Sequence, residues 1–427
     1  MLVKEQNDYV THTGPGTPMG QLFRAYWIPA LLASELAEPD CPPVRIELLS
    51  EKLIAFRDTQ GRLGLIDEFC AHRRVSLWFG RNEESGLRCP YHGWKFDVTG
   101  QCIEIPSELP GSTHCQRIRM VNYPLVEKGG ILWTYMGPPD RQPPLPEWEF
   151  TNVPDSHRFV SKRWQECNWL QALEGGIDSS HVSFLHRGDL ETDPVFKGSK
   201  GNKYNMDDLM PVFDVVESPG GLYIGARRNA ENGNFYWRIT QWVMPAFTMI
   251  PPRGDHPVHG HFFIPRDDEN CWTWSFDYRV KSPLEPELVQ QMREGAGIHT
   301  VVDANFRPLA NKDNDYLIDR AAQKRGRTYS GVAGFAIQDS SLQESMGPII
   351  DRSKENLVAT DKGIVMARRR LMRAAKALLD SGTAPPGVDP AHTRVRSASV
   401  VLPPGKPFAE AVGDALSARE GAAHVSV

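Results

Sequence analysis

The sequence predicts an α+β protein in two parts: an N-terminal all-β domain, and a larger C-terminal domain whose antiparallel sheet is surrounded by helices. Three observations lead there. At 427 residues the chain is too long for one ordinary core. Its first third reads as short β-rich runs broken by turns. That stretch ends at GPPDRQPPLP, Gly137 to Pro146, where five prolines in ten residues stiffen an extended connector. Beyond it, an alternating aromatic strand precedes a long amphipathic helix. These marks divide the chain into an arm (1–26), a β domain (27–136), a linker (137–147), the larger domain (148–382) and a tail (383–427).

In the β domain, Val44–Leu49, Leu53–Arg57 and Leu63–Ile66 read as strands, with Asp58-Thr59-Gln60-Gly61 as a turn. Trp94–Asp97 and Cys102–Ile105 flank a hairpin turn at Val98-Thr99-Gly100-Gln101, and a last strand lies near Gly130–Met136. In the larger domain, Cys271–Val280 puts Trp272, Trp274, Phe276 and Tyr278 on one face. Thr273, Ser275, Asp277 and Arg279 fall on the other. Phe235–Ile250 and Gly260–Pro265 read as further strands of that sheet. From Asp361 to Ser381, a stripe of Ile364, Ala367, Leu371, Ala374 and Leu378 marks a helix stopped by Gly382. Its Arg368-Arg369-Arg370 run reads as a solvated face. Beyond Pro385 the Ala-, Gly-, Pro- and Val-rich tail is expected to be an extended or poorly ordered arm.

Two short pairs carry chemistry. Cys70-Ala71-His72 is followed, after sixteen residues, by Cys89-Pro90-Tyr91-His92-Gly93-Trp94. Two thiolates and two imidazoles are the ligand set of a Rieske [2Fe–2S] centre, in which histidines replace cysteines on one iron. A Cys2His2 zinc site is the competing reading, but zinc fingers present their two cysteines together and then their two histidines. Here each arm mixes the types, so Cys70, His72, Cys89 and His92 are expected to bind a Rieske cluster on loops at strand ends. A second set lies in ECNWLQALEGGIDSSHVSFLH, Glu166 to His186, which begins helically. Two histidines without context are more often a packed and a surface imidazole. Asp178 and His181, three apart, would share a helix face. His181 and His186 lie about 140° apart around an ideal helix, so they can share a metal only if the helix ends or distorts. Gly175-Gly176 and Arg187-Gly188 allow that.

Composition narrows the class. Apolar residues at 40%, charged residues at 24% and a net charge of −5 describe a globular protein with no call for nucleic acid. No apolar run approaches the roughly 18 residues that span a membrane, and the opening MLVKEQNDYV does not resemble a secretory signal. Seven cysteines in such a chain do not form a disulfide framework, so a cytoplasmic protein is expected. Cys41, Cys102, Cys115, Cys167 and Cys271 are then buried or free thiols.

The cluster loops resemble Rieske proteins generally. Respiratory members lock theirs with a disulfide whose cysteines would fall at Val75 and Tyr91, so this chain is similar to the ferredoxins and ring-hydroxylating oxygenases instead. The resemblance becomes closer over Asn168-Trp169, Glu174-Gly175, Asp178-x2-His181-x4-His186 and Gln338-Asp339-Ser340-Ser341-Leu342-Gln343-Glu344-Ser345-Met346-Gly347-Pro348. With THTGPGTPMG (Thr11–Gly20) and Pro106-Ser107-Glu108, these are similar to the phthalate 4,5-dioxygenase large-subunit group of Rieske non-haem iron oxygenases, over residues 1 to about 380. One departure is Ala71, where proline is usual.

The resemblance implies a mononuclear Fe(II) on a 2-His-1-carboxylate triad of His181, His186 and Asp339, with Glu344 and Asp351 as competing carboxylates. It implies that Asp178 links an iron-ligand histidine to a cluster histidine of a neighbouring subunit; the alternative is an acid orienting His181 within its own chain. It also implies a homotrimer or stacked hexamer and a carboxylated aromatic substrate, for which Arg227, Arg228, Arg238 and Arg253 are candidate partners. Electrons would come from NAD(P)H through a separate flavin and iron–sulfur reductase, since the chain lacks a G-x-G-x-x-G motif. A Rieske monooxygenase is the near alternative. A simple electron carrier is the distant one, although a carrier needs only the first ~140 residues, close to the minimal size of one small domain.

Overall fold

The computed structural model describes residues 2–419 and 424–427. Three small antiparallel sheets build the β domain. One joins Val44–Leu48, Glu51–Arg57, Leu63–Asp67 and Asn122–Tyr123. A second joins Arg81–Glu83, Gly86–Arg88, Lys95–Phe96 and Cys102–Glu104; the third joins Trp27–Leu32, Ile131–Tyr135 and Leu125–Lys128. The expected turns are present for a visible reason. Asp58 accepts the backbone N–H of Gln60 and Arg62, and Asp97 accepts those of Thr99 and Gln101, so each carboxylate closes its own loop. Between the first two sheets, Ile54, Phe56, Ile66, Leu87 and Phe96 form a separate small core that also buries Cys70 and Cys89. Cys102 and Cys115 meet in its wall, their sulfurs 3.3 Å apart.

The larger domain carries one eight-stranded antiparallel sheet. Its order runs Arg158–Gln165, Cys271–Tyr278, Val258–Pro265, Phe247–Met249, Phe235–Val243, Gly221–Asn229 and Val212–Glu217. The expected strand Phe235–Ile250 is therefore two strands, folded back through the cis Met244–Pro245 peptide so that Val243 faces Phe247. Cys271–Tyr278 is buried on both faces. Its aromatic face joins the main core. Its polar face finds partners too: Thr273 donates to Gln165, Ser275 to the Ile298 carbonyl, and Asp277 accepts from His299 through one of its two oxygens.

The tail departs from expectation, and the N-terminal arm, described from residue 2, is packed. Helices Lys4–Thr11 and Pro18–Arg24 bury Val10, Met19, Leu22 and Phe23, and Phe23 meets Trp169 edge-on at 4.8 Å. The tail adds strand Ala398–Leu402 to Phe235–Ile239 and buries Phe408 against Trp237. Short segments without periodicity are held here by tertiary burial.

The helix Lys362–Ser381 matches its expected span, with Gly382 in the left-handed region at φ 67°. Its arginines do not form one solvated face. Arg369 is exposed, but Arg368 is buried between Glu174 and Glu355, and Arg370 donates to the Ser218 and Gly221 carbonyls. Replacing Arg368 with Met strands the half-buried Glu355 carboxylate and leaves Glu174 to Arg352 alone. We expect a loss of about 3–5 kcal/mol in chemical denaturation, against about 0.5 kcal/mol or less for Arg369→Ala.

Candidate active site

The two Cys/His loops are copies of one turn. Cys70 N–H donates to the Val75 carbonyl and Arg74 N–H to the Cys70 carbonyl; Cys89 N–H donates to Trp94 and Gly93 N–H to Cys89, all at 2.8–2.9 Å. The fifth residue of each turn has positive φ, Arg74 at 60° and Gly93 at 77°. The matched turns aim both sulfurs inward, where Cys70 and Cys89 are 1% and 2% exposed, and both imidazoles outward. The rings of His72 and His92 lie 4.4 Å apart, and His72 stacks flat on Trp94. Burial pushes the Cys70 thiol up to about 11, so without a metal it would stay protonated. Two inner sulfurs and two outer nitrogens fit a Rieske cluster. All seven cysteines are free.

The second set forms where a helix stops. Trp169–Ile177 starts at Asn168, whose side chain accepts the Leu170 N–H. It lies flat on the sheet because Gly175 and Gly176 leave room for Gln343 and Phe263. Asp178 is already extended, so it shares no helix face with His181. Its carboxylate instead caps the Ser180 N–H at 2.6 Å and meets His181 Nδ1 at 3.3 Å. A single 3₁₀ turn, His181–Ser183, then lets the chain double back so that His186 faces His181, their Nε2 atoms 3.2 Å apart. Helix Phe335–Ser345 brings Asp339 within 3.3 Å of His186 Nε2 and 3.6 Å of His181 Nε2.

These three donors could hold one metal ion. Burial opposes charge on Asp339, yet the imidazoles of His186 and His181 hold its carboxyl down at about 2. Each histidine bonds an oxygen through Nδ1, His181 to Asp178 and His186 to Gln338 Oε1 at 2.8 Å, which leaves both Nε2 atoms for a metal. Gln338 in turn donates to Asp189 and the Val332 carbonyl. Sequence reasoning quoted Gln338 but gave it no role; its position beside Asp339 was the available signal. The competing carboxylates are occupied elsewhere. Glu344 accepts from Tyr316 and the Glu166 N–H and is half-buried, with burial pushing its carboxyl up. Asp351 caps Ser353 and pairs with Lys354, while Arg352 turns to Asn7 and Glu174.

The cavity beside the three donors is lined by Arg238, Arg253, His259 and His261 among others. Arg238 and Arg253 are 2% and 4% exposed, their Nε and Nη1 atoms have no hydrogen-bond partner, and neither makes an ion pair among the described residues. Burial, then repulsion from Arg238, pulls Arg253 down to about 9, still charged at neutral pH. Arg228 braces the loop beneath Asp178 through Ser179 and Ser183, and Arg227 lies outside the cavity over Phe235 and Trp237.

Comparison with known proteins defines the class. Residues 26–122 match the Rieske [2Fe-2S] domain, and residues 134–410 match the LigXa C-terminal domain like family. The chain belongs to the Rieske non-haem iron ring-hydroxylating oxygenases, in the group of phthalate 4,5-dioxygenase large subunits. It is 40% identical to the 3-chlorobenzoate-3,4-dioxygenase oxygenase subunit of Comamonas testosteroni, over 92% of this chain and 93% of that protein. It is also 40% identical to the phthalate 4,5-dioxygenase oxygenase subunit of Pseudomonas putida, over 88% and 87%. Dicamba monooxygenase bound to dicamba has the same fold, with a TM-score of 0.60 at 18% identity over 84% of this chain and 99% of that one. The protein is thus an oxygenase component that carries a Rieske cluster and a mononuclear non-haem iron, served by a separate reductase fed by NAD(P)H. An electron carrier without iron catalysis is set aside. When bound, the mononuclear iron supplies the site where O2 and electrons combine.

Removing the Gln338 amide frees the His186 ring. For Gln338→Ala we expect mononuclear iron affinity to fall about 10–100-fold, with the visible spectrum of the cluster unchanged. Glu344→Ala and Asp351→Ala should keep the iron. Metal content after dialysis against a graded chelator series checks all three.

Proposed function

We propose that the chain hydroxylates a small aromatic carboxylate at Fe(II) held by His181, His186 and Asp339, using electrons from a cluster on Cys70, His72, Cys89 and His92. The observation that carries the substrate class is the pair of buried, unpartnered guanidinium groups of Arg238 and Arg253. A buried charge without a counter-ion is costly, and a carboxylate matches guanidinium geometry in two parallel bonds. The substrates printed in the names of the relatives, 3-chlorobenzoate and phthalate, are anions of this kind. The remaining cavity wall, with Phe263, Phe335 and Ile250, suits a ring. No helix of the described residues is long and apolar enough to cross a membrane.

The test is a panel of benzoates and phthalates scored for O2 uptake coupled to hydroxylated product. Arg238→Gln and Arg253→Gln should each raise KM about 10–100-fold, the effect of leaving one charge-assisted pair unmade, with kcat changed far less. A binding acid should also raise the melting temperature of the wild type by mass action, and of the double variant much less. If unsubstituted aromatics are hydroxylated as well as the acids, the carboxylate reading fails.

The electron path we propose crosses between copies of the chain. Tyr91, Trp78 and Phe79 are exposed around the cluster loops, and Phe184 and Tyr329 are exposed beside His181. Two different apolar patches suit a heterologous contact that closes as a ring, a trimer. Asp178, a quarter exposed, would then touch the neighbour's cluster histidine. Asp178→Asn keeps shape but loses charge. Both metals should stay bound, while the oxidation of reduced cluster by O2 in the presence of substrate slows at least about 10-fold, the smaller end of such losses. Stopped-flow on iron-replete protein measures it, and a wild-type rate rejects the bridge.

A further inference from the structure

A second pair of cysteines lies in the wall of the small core, with no part in the ligand sets described above. Cys102 opens strand Cys102–Glu104, and Cys115 sits in the helical turn His114–Arg117. The backbone brings them together. Cys102 N–H donates to the Ile118 carbonyl at 2.9 Å, and Ile118 N–H to the Cys115 carbonyl at 3.2 Å. The side-chain amide nitrogen of Gln101 lies 3.1–3.2 Å from the carbonyl oxygens of Cys102, Cys115 and Ile118, so one amide clamps both cysteine backbones. The two sulfurs are left 3.3 Å apart. That is inside the roughly 3–3.5 Å at which reacting atoms are poised.

The two thiols are not equivalent. Cys102 is 2% exposed, whereas Cys115 is half-buried. Burial, then the hydrogen bond with Cys115, pushes the Cys102 thiol up to about 12, so it rests protonated. Cys102 Sγ donates to the Glu104 carbonyl at 3.6 Å, which leaves its lone pairs toward Cys115. A reagent from solvent meets Cys115 first. The segment between the cysteines packs on the second cluster turn, Cys89 to Trp94. Pro106 covers Gly93, where an added Cβ would lie 3.0 Å from Pro106 Cγ. His114 meets Trp94 edge-on at 6.3 Å, and Trp94 stacks on His72 at 4.5 Å. Residues 106–114 are themselves exposed, and the backbone bonds within them, Glu108 to Ile105 and Ser112 to Leu109, are local. The segment is therefore fastened chiefly at its two ends, where the cysteines stand.

We infer that Cys102 and Cys115 form a peroxide-reactive dithiol whose disulfide staples residues 103–114 over the second cluster turn. The oxidant is hydrogen peroxide, which two-electron reduction of O2 yields when no substrate takes the oxygen. In the first step Cys115 Sγ attacks one peroxide oxygen and the O–O bond breaks. The other oxygen leaves as hydroxide, takes the Cys115 proton and becomes water, and Cys115 becomes a sulfenic acid. In the second step Cys102 Sγ attacks Cys115 Sγ and the S–O bond breaks. The departing hydroxide takes the Cys102 proton. Two thiols and one H2O2 thus become one disulfide and two waters, the sulfurs losing the two electrons that the peroxide gains. The sulfurs close by little more than an ångström to reach a bond of about 2 Å. A dithiol reductant reverses the change by exchange.

The test uses the full protein with its cluster, reduced by dithiothreitol, freed of it and titrated with H2O2 before the remaining thiols are alkylated. Cleavage after Lys95 and Arg117 isolates residues 96–117, which contain Cys102 and Cys115 and no other cysteine. At peroxide levels that leave the visible spectrum of the cluster intact, we expect this peptide to lose two hydrogens in mass and to escape alkylation. Cys41, the other partly exposed cysteine, should still be alkylated. Dithiothreitol should restore both thiols. In Cys102→Ser the reaction should stop at the Cys115 sulfenic acid, which dimedone traps on the same peptide. The staple is read from bleaching of the cluster by a chelator. It should be at least about 10-fold slower in the peroxide-oxidised wild type than in the reduced form, because the crosslink restricts the opened segment. Cys115→Ser should show no such difference. A peptide 96–117 that stays reduced while the cluster bleaches or Cys41 is oxidised overturns the dithiol, as does a crosslink that forms only in unfolded protein. Equal chelator rates in oxidised and reduced wild type overturn the staple. Both decisive readings are made on the wild type, so they stand even where a variant does not fold.

Discussion

Gly175 has no side chain, and the amide of Gln343 occupies the space a Cβ would need. That amide cannot swing away. Its oxygen accepts from Gln165 at 2.6 Å, Gln165 is held by Thr273, and the Gln343 carbonyl accepts from Gln171. The close approach of helix Trp169–Ile177 to helix Phe335–Ser345 therefore rests on one missing methyl group and a locked polar layer. The three candidate metal donors inherit this spacing. The first helix ends where the histidine segment begins, and the second carries Asp339 and Gln338, so the distance between helices sets the distance between donors. A small donor set with open positions has to be held from behind, since no fourth protein ligand corrects an error in the other three.

How legible each part is follows from how local its causes are. The candidate cluster ligands lie two or three residues apart within each turn, so Cys70, His72, Cys89 and His92 can be read without any fold. His181 and His186 are adjacent enough to be noticed, but their convergence depends on the helix ending at Ile177, which the glycine pair only permits. Asp339 lies 153 residues beyond His186 (339 − 186), and only family resemblance singles it out. The arginine run Arg368-Arg369-Arg370 was misread for a geometric reason: successive helix residues point about 100° apart, so three in a row cannot all face solvent on a packed helix. The polar face of Cys271–Tyr278 shows a different limit. Alternation reports the chemistry of a face, whereas burial depends on what later packs there.

Some local conflicts with folding rules lie around the cavity. Arg238 and Arg253 are buried cations without ion pairs among the described residues, Asp277 has a buried oxygen without a hydrogen-bond partner, and His261 Nδ1 is likewise unsatisfied. Other buried cations are paired: Arg368 with Glu174 and Glu355, Arg352 with Glu174, Lys162 with Glu35. Such conflicts are expected where a fold serves a function rather than its own stability. On the reading proposed above, a carboxylate substrate supplies the partner that the two arginines lack.

Arg238 and Arg253 put two buried cations on one cavity, and a positive wall disfavours any further positive charge beside the donor set. On the reading proposed above, a carboxylate substrate neutralises that wall, and the penalty on positive charge in the cavity falls. Substrate binding would then favour proton uptake and ring placement through one electrostatic change, which ties the timing of O2 chemistry to the presence of the molecule to be oxidised.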